Sequence, residues 1–230
     1  MVKKFIQKNK KLYKFLSDSR EILRIIYNTK TRSRFFWLLR KGDDNLSLDY
    51  PLEKNSIIFD IGAYEGNFTK KIYHKFNCKV YAFEPLEEKA LNLKKYFNKV
   101  NNVKVYSFGL LSSDKQVQLS NIEAGSSIFS RAEGDLDISV NMKSFYNFVL
   151  DNSIEEIDLM YMNIDGSEYE LLEHIIECGY IKNIKHLQVQ FHNFVENSKV
   201  KRKDIRKKLK TTHKCKFNYP FIWERWDIKL

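Results

Sequence analysis

The chain has 230 residues and 27.5 kDa, with 43% hydrophobic residues and three prolines, enough apolar material for one sizeable core and too much for a disordered chain. It contains no run of about 18 apolar residues, which excludes a membrane-spanning helix, and no continuous apolar stretch near its start, which argues against a secretory signal. Its net charge of +11 is concentrated in two segments, and such a balance selects anionic surroundings: a phosphorylated substrate, lipid headgroups or nucleic acid.

The first basic segment is residues 1–42, with thirteen Lys and Arg against Asp18 and Glu21. Leu12, Phe15, Leu16, Ile22, Leu23 and Ile26 recur at helical spacing there, with basic residues on the other faces. The cluster Phe35-Phe36-Trp37-Leu38-Leu39 follows, then Lys41-Gly42-Asp43-Asp44 as a stop and linker. We read residues 1–50 as a basic helical extension and residues 51–230, entered at Pro51, as one main domain. The stripe either seats the protein on an anionic inner membrane face or packs against the main domain or a second subunit. Its breadth favours packing.

The main domain alternates short apolar runs with helical patterns. Strands are expected near 56–61, 79–84, 103–108, 157–164 and 185–191, and helices near 67–77, 86–98, 167–178 and 196–211. Lys214 to Tyr219 and Phe221 to Ile228 read as a final hairpin around Pro220. The alternation predicts an α/β, doubly wound, Rossmann-like sheet of seven strands, mostly parallel, with a terminal antiparallel hairpin. Residues 111–141 break the pattern. Ser120-Asn121, Glu123-Ala124-Gly125-Ser126-Ser127 and Gly134 read as a long loop, better suited to a lid or substrate loop than to an inert excursion. The second basic segment, residues 199–216, holds ten Lys and Arg against Asp204. Cys78, Cys178 and Cys215 form no Cys-x-x-Cys pair and read as reduced buried thiols in a cytoplasmic protein.

The chemistry concentrates in Ile57-Ile58-Phe59-Asp60-Ile61-Gly62-Ala63-Tyr64-Glu65-Gly66-Asn67-Phe68-Thr69. An apolar strand ends in an acid, turns through glycine and enters a helix after a second glycine, as in sheets that cradle a nucleotide-like cofactor. Glu84 closes the next strand 22 residues beyond Gly62, the place of a carboxylate that binds ribose hydroxyls. The order Asp-x-Gly-x-x-x-Gly is not a dinucleotide fingerprint, and Glu65 in the turn repels a pyrophosphate. A ribose-bearing ligand with a positive centre and no phosphate, S-adenosylmethionine, fits better.

At these residues the sequence resembles the class I methyltransferases, and among them the FkbM family. Phe83-Glu84-Pro85, Asn163-Ile164-Asp165-Gly166-Ser167-Glu168, Gln190-Phe191-His192-Asn193-Phe194, Thr212-His213 and Tyr219-Pro220-Phe221-Ile222-Trp223-Glu224-Arg225-Trp226 are similar to that family's motifs. The resemblance spans roughly residues 55 to 226. It implies cofactor contacts at Asp60, Gly62, Ala63, Glu65, Gly66, Glu84, Pro85, Gly109 and Asn163, and a sugar, glycan or related hydroxylated metabolite as acceptor. Asn163 and Asp165 depart from the acids usual at those two positions.

An alcohol is a poor nucleophile until its proton leaves, so the acceptor side needs a base or a metal. Asp165, Glu168 and His192 stand at the ends of the fourth and fifth main-domain strands, around one expected crevice. His192 has the pKa for base work, with a structural histidine at a strand end as the alternative; Asp165 and Glu168 compete with helix capping. A divalent ion is less favoured, because Asn163 removes a charge. His213 reads as a packed histidine and the C-terminal aromatics as core. Nucleic-acid methylation is disfavoured: Asn163-Ile164-Asp165-Gly166 is not the Asn/Asp-Pro-Pro-aromatic run of base amino methylation, and no Pro-Cys nucleophile is present. A non-catalytic basic interaction protein is a third reading, opposed by the intact Asp60, Gly62, Gly66 and Glu84.

Overall fold

The structure, a computed structural model, describes residues 27–120 and 137–229. The stripe from Leu12 to Ile26 therefore lies outside the described residues. Helix α1 (Thr29–Leu39) starts where Asn28 caps it, its side chain accepting the Thr31 N–H at 3.0 Å. The main sheet comprises β1 (Ile57–Ile61), β2 (Lys79–Phe83), β3 (Val103–Tyr106), β7 (Ile157–Met162), β8 (Ile184–Val189), β9 (His213–Tyr219) and β10 (Trp223–Ile228). Their order across the sheet is β3-β2-β1-β7-β8-β10-β9. β10 runs antiparallel to both neighbours and the other pairings are parallel, so the seven-stranded, mostly parallel sheet and terminal hairpin are present.

Alternate residues along β1 feed two cores. Phe59 and Ile61 join Met160, Met162, Leu187 and Val189 under α5 (Glu168–Glu177) and α6 (Ser198–Thr212). Ile58 joins Val80, Ala82 and Leu159 under α2 (Asn67–Phe76) and α3 (Glu87–Tyr96). Each large side chain so buried contributes about 1.5–3 kcal/mol. On the α2 side, Trp37 of α1 packs on Phe217, Tyr219 and Trp223. Tyr50 and Ser47 hold the fully buried Gln188 amide of β8, at 2.5 and 2.7 Å. The segment before residue 51 thus covers the β8–β10–β9 side of the sheet.

The expectation of a long loop over residues 111–141 needs correcting. β4 (Gly109–Leu111), β5 (Lys115–Ser120) and β6 (Asp137–Ser144) form a second, three-stranded sheet ordered β4-β6-β5. Val117 and Leu119 alternate with polar residues opposite Val140 and Ile138, the period of a half-buried strand, and polar composition masked that signal. Helix α4 (Phe145–Asp151), likewise unforeseen, follows directly and is capped by Ser144. Residues 121–136, where the expected lid residues fall, lie outside the described residues.

Candidate active site

Asp60 lies beside Ala82 and Tyr161 in the register of β1 and is 1% exposed. Burial pushes its carboxyl up to about 7, tempered by hydrogen bonds from the Thr69 hydroxyl (2.5 Å) and the Thr69 N–H. The strand end is thereby tied to the first turn of α2. Between them the backbone folds onto β2: the Gly62 and Ala63 N–H groups both donate to the Phe83 carbonyl at 3.0 Å. Tyr64 N–H donates to Glu84 Oε2 at 2.7 Å and Leu86 N–H to Oε1 at 2.9 Å. Glu84 is buried, and desolvation raises its pKa against those two bonds, with Asp165 adding to the rise.

Both glycines of the turn answer packing demands that spacing alone does not reveal. Gly62 has φ +86°, and a Cβ there would come 2.1 Å from the Asn163 carbonyl oxygen. Gly66 has φ +71°, and its Cβ would come 2.1 Å from a Leu93 methyl of α3. Glu65 sits at the outer lip, paired with Lys89 at 3.6 Å. Gly109 opens β4 against Met142: a Cβ there would come 2.4 Å from the Met142 methyl, the end of a flexible side chain, and lie in ordinary van der Waals contact with Pro85 at 3.7 Å.

Across the crevice, Asn163 continues β7 through its N–H to the Ile61 carbonyl at 3.0 Å. Its side-chain Oδ1 is buried with no hydrogen-bond partner among the described residues. The chain then turns through Asp165 (φ +45°) and Gly166 (φ +107°) into α5. Glu168, fully buried, holds this turn to the end of β8. Its Oε2 accepts the Gly166 N–H at 2.8 Å; its Oε1 accepts the His192 N–H at 2.6 Å and faces His192 Nδ1 at 3.1 Å. The other ring nitrogen, Nε2, lies 3.1 Å from Asp165 Oδ1. Tyr169 fixes the same residue from behind, donating to the His192 carbonyl at 2.7 Å.

Burial alone would lower the pKa of His192, but hydrogen bonds and charge from Asp165 and Glu168 outweigh it and hold the ring at about 9. Near neutral pH the ring is an imidazolium clamped between two carboxylates, not the neutral base that its ordinary pKa suggests. His213 is fully buried and bonded to the Ile184 carbonyl at 2.8 Å, a packed histidine.

The fold thus brings Asp60, Gly62, Ala63, Gly66, Glu84 and Asn163 to one edge of the sheet, at the carboxyl ends of β1, β2 and β7, with Asp165, Glu168 and His192 on its β7–β8 side. Electrostatic coupling of Asp60 to Glu84 and of Glu84 to Asp165 makes it one field. Thr69 and Tyr169 were missed; a hydroxyl in the first turn after a strand-end acid was a signal for the first, and nothing in the sequence marks the second. On the α2 face lies a cavity of about 500 Å³, walled by Lys41, Asp43, Asp44, Asn67 and Lys71 and floored by Tyr161, on which Phe68 stacks at 3.7 Å. Among the described residues no group of three His, Cys, Asp or Glu is placed to hold a metal, and no helix is long and apolar enough to cross a membrane.

The Methyltransferase FkbM domain family matches residues 60–219. No curated protein matches the chain by sequence. Among solved structures, a protein assigned as an rRNA methylase from Clostridium thermocellum is similar at 12% identity and TM-score 0.52, over 84% of this chain and 96% of that one. A protein assigned as a methyltransferase from Streptococcus mutans, in complex with SAH, is similar at 15% identity and TM-score 0.51, over 83% of this chain and 97% of that one. At these identities the likeness is one of fold.

Proposed function

The chain belongs to the FkbM methyltransferases and uses S-adenosylmethionine, and from that premise we propose that it methylates a hydroxyl oxygen of a sugar, glycan or related small metabolite. The crevice suits the cofactor on its own terms. Glu84 and Asp165, joined by Asp60 once it ionises, gather negative charge that a sulfonium would relieve, and the unpartnered Asn163 Oδ1 offers a buried acceptor. Glu84, whose oxygens each keep a lone pair beyond their backbone bond, would take the ribose hydroxyls. The mixed charges of the adjoining cavity would take a zwitterionic amino-acid end. When bound, the cofactor supplies an electrophilic methyl group.

The observation that carries the hydroxyl acceptor is the Glu168–His192–Asp165 array beside that crevice. Glu168 locks the imidazole through Nδ1, and the charged Nε2 holds Asp165 in place. Asp165, one-third exposed, is the member of the array that reaches the crevice. It accepts the proton of an incoming hydroxyl, while His192 positions it and neutralises part of the local charge. The test is incubation with methyl-labelled cofactor and a panel of sugars, nucleotide sugars and glycan extracts. Label should pass to a hydroxylated acceptor, and Asp165→Asn should stop it. Transfer to RNA with none to any sugar would refute the reading.

A further inference from the structure

The two basic segments lie more than 150 residues apart in sequence, yet the fold joins them at the mouth of the acceptor side. Lys30 of α1 donates from Nζ to Asn193 Oδ1 at 3.0 Å. The carbonyl of the same Asn193 accepts the hydroxyl of Ser198, the first residue of α6, at 3.2 Å. Asn193 directly follows His192, so both helix starts are pinned one residue from the catalytic array. Arg34 stands one turn along α1 and is close enough for its charge to add to the depression that burial imposes on the Lys30 pKa. Lys199 and Lys203 begin an exposed face of α6, with Glu196 the acid on the intervening loop. Further along α6, Arg202 and Arg206 are consumed by the buried Glu224 and do not belong to this rim.

Beside these cations stands an aromatic face. Phe194 is 48% exposed, and its ring centroid lies 5.3 Å from that of His192. An exposed phenyl ring next to a buried imidazolium is a platform for the C–H face of a small ring. Lys30 meanwhile spends its ammonium on a neutral amide oxygen. An oxyanion would replace that neutral acceptor with a charged one and add ion–ion attraction to the bond, and the Arg34 fork matches a phosphate.

We propose that this rim recognises the acceptor and that the acceptor is a phosphorylated sugar, its ring on Phe194 beside His192 and its phosphate or diphosphate on Lys30, Arg34 and Lys199. The position of the sugar rests on the methyl-transfer reading; the anion site does not. A soluble sugar phosphate and a lipid-linked one present the same chemistry: variant-sensitive binding of pyrophosphate and glucose 1-phosphate without anionic vesicles assigns the soluble source, and the same binding together with vesicles assigns the lipid-linked one.

The full chain is titrated by calorimetry with inorganic pyrophosphate, with glucose 1-phosphate, and with vesicles containing phosphatidylglycerol. Pyrophosphate should bind in a salt-dependent way, and the Lys30→Ala/Arg34→Ala double variant should bind it at least tenfold more weakly while keeping its affinity for S-adenosylmethionine. Phe194→Ala should weaken glucose 1-phosphate and leave pyrophosphate unchanged. Absence of pyrophosphate binding, or equal binding by the double variant, overturns the site. Variant-sensitive binding to vesicles without binding to pyrophosphate overturns it in favour of membrane docking. Loss of both probes alike in Phe194→Ala overturns the place given to the sugar ring. The S-adenosylmethionine titration reads the methyltransferase premise by itself, so the two failures are distinguishable.

Discussion

Glu168→Gln is the substitution that most directly probes the acceptor side. In the native protein the fully buried Glu168 carboxylate accepts three N–H groups, from Gly166, the His192 backbone and, at 3.1 Å, the His192 ring. Glutamine keeps the shape but has one acceptor and one donor end. With its oxygen on His192, its NH2 meets the Gly166 N–H; flipped, it faces both His192 donors. Either orientation leaves a buried donor unmet, at about 1–3 kcal/mol, and removes a charge partner from a buried imidazolium. Breaking such a pair costs about 3–5 kcal/mol, and we expect a total in that range near pH 6. The pH dependence carries the sharper test. His192 titrates at about 9 folded against an ordinary 6.5, so it binds its proton more tightly in the native state. That linkage contributes on the order of 3 kcal/mol, complete below the unfolded value of 6.5 and lost as pH rises through about 9. In the variant the His192 pKa should fall, so the stability gap between the two proteins should narrow from pH 6 towards about pH 9.5. Urea unfolding across that window, with NMR titration of the imidazole, measures both. A gap under about 1 kcal/mol at pH 6, or one that does not change with pH, would refute the clamp.

Asp60, pushed up to about 7 by burial, holds a proton over much of the neutral range, and a bound cation favours its ionised form. S-Adenosylmethionine affinity should therefore rise with pH through about 7, with proton release visible as buffer-dependent heat; an affinity flat between about pH 6 and pH 8 would take Asp60 out of the field. Glu84→Gln should weaken cofactor binding by about tenfold or more in calorimetry, since a neutral amide gives the ribose a poorer acceptor. With Asp165 as proton acceptor and the imidazolium holding it, kcat/KM should be level below pH 9 and fall as His192 loses its proton through about 9; a rate that instead climbs to a plateau near that value would assign the base to His192. Gly62→Ala should cost roughly 3 kcal/mol or more in urea unfolding, because both the positive φ and the 2.1 Å approach to a backbone oxygen are fixed by main chain.

The parts of this molecule that were legible in its sequence share one property: a local pattern sets them. Short apolar runs bounded by glycine and acid yielded the main strands within a residue or two, because strands buried on both faces leave no other use for such runs. Asp60, Glu84 and the Asp165–Glu168 turn were visible for the same reason, as each ends a strand. The second sheet was missed because β5 and β6 are half-buried and their polar residues mimic a loop. The convergence of Lys30 and Ser198 on Asn193 was invisible because it is made by residues from opposite ends of the chain.

The protonation of His192 marks the boundary between the two kinds of knowledge. A histidine at a strand end reads as a neutral base, since nothing local perturbs it. In the fold, the helix that starts at Glu168 places one carboxylate under Nδ1, and the left-handed turn at Asp165 carries a second to Nε2. Hydrogen bonds and charge from the two carboxylates together outweigh the desolvation of a ring only 6% exposed, and the ring keeps its proton. A protonated His192 is a donor at both nitrogens, so it can orient Asp165 but has no lone pair for an acceptor hydroxyl. In the reading proposed above, the same three residues that the sequence nominates for catalysis divide their labour differently: Glu168 would anchor, His192 would position, and Asp165, on the positive-φ turn, would take the proton.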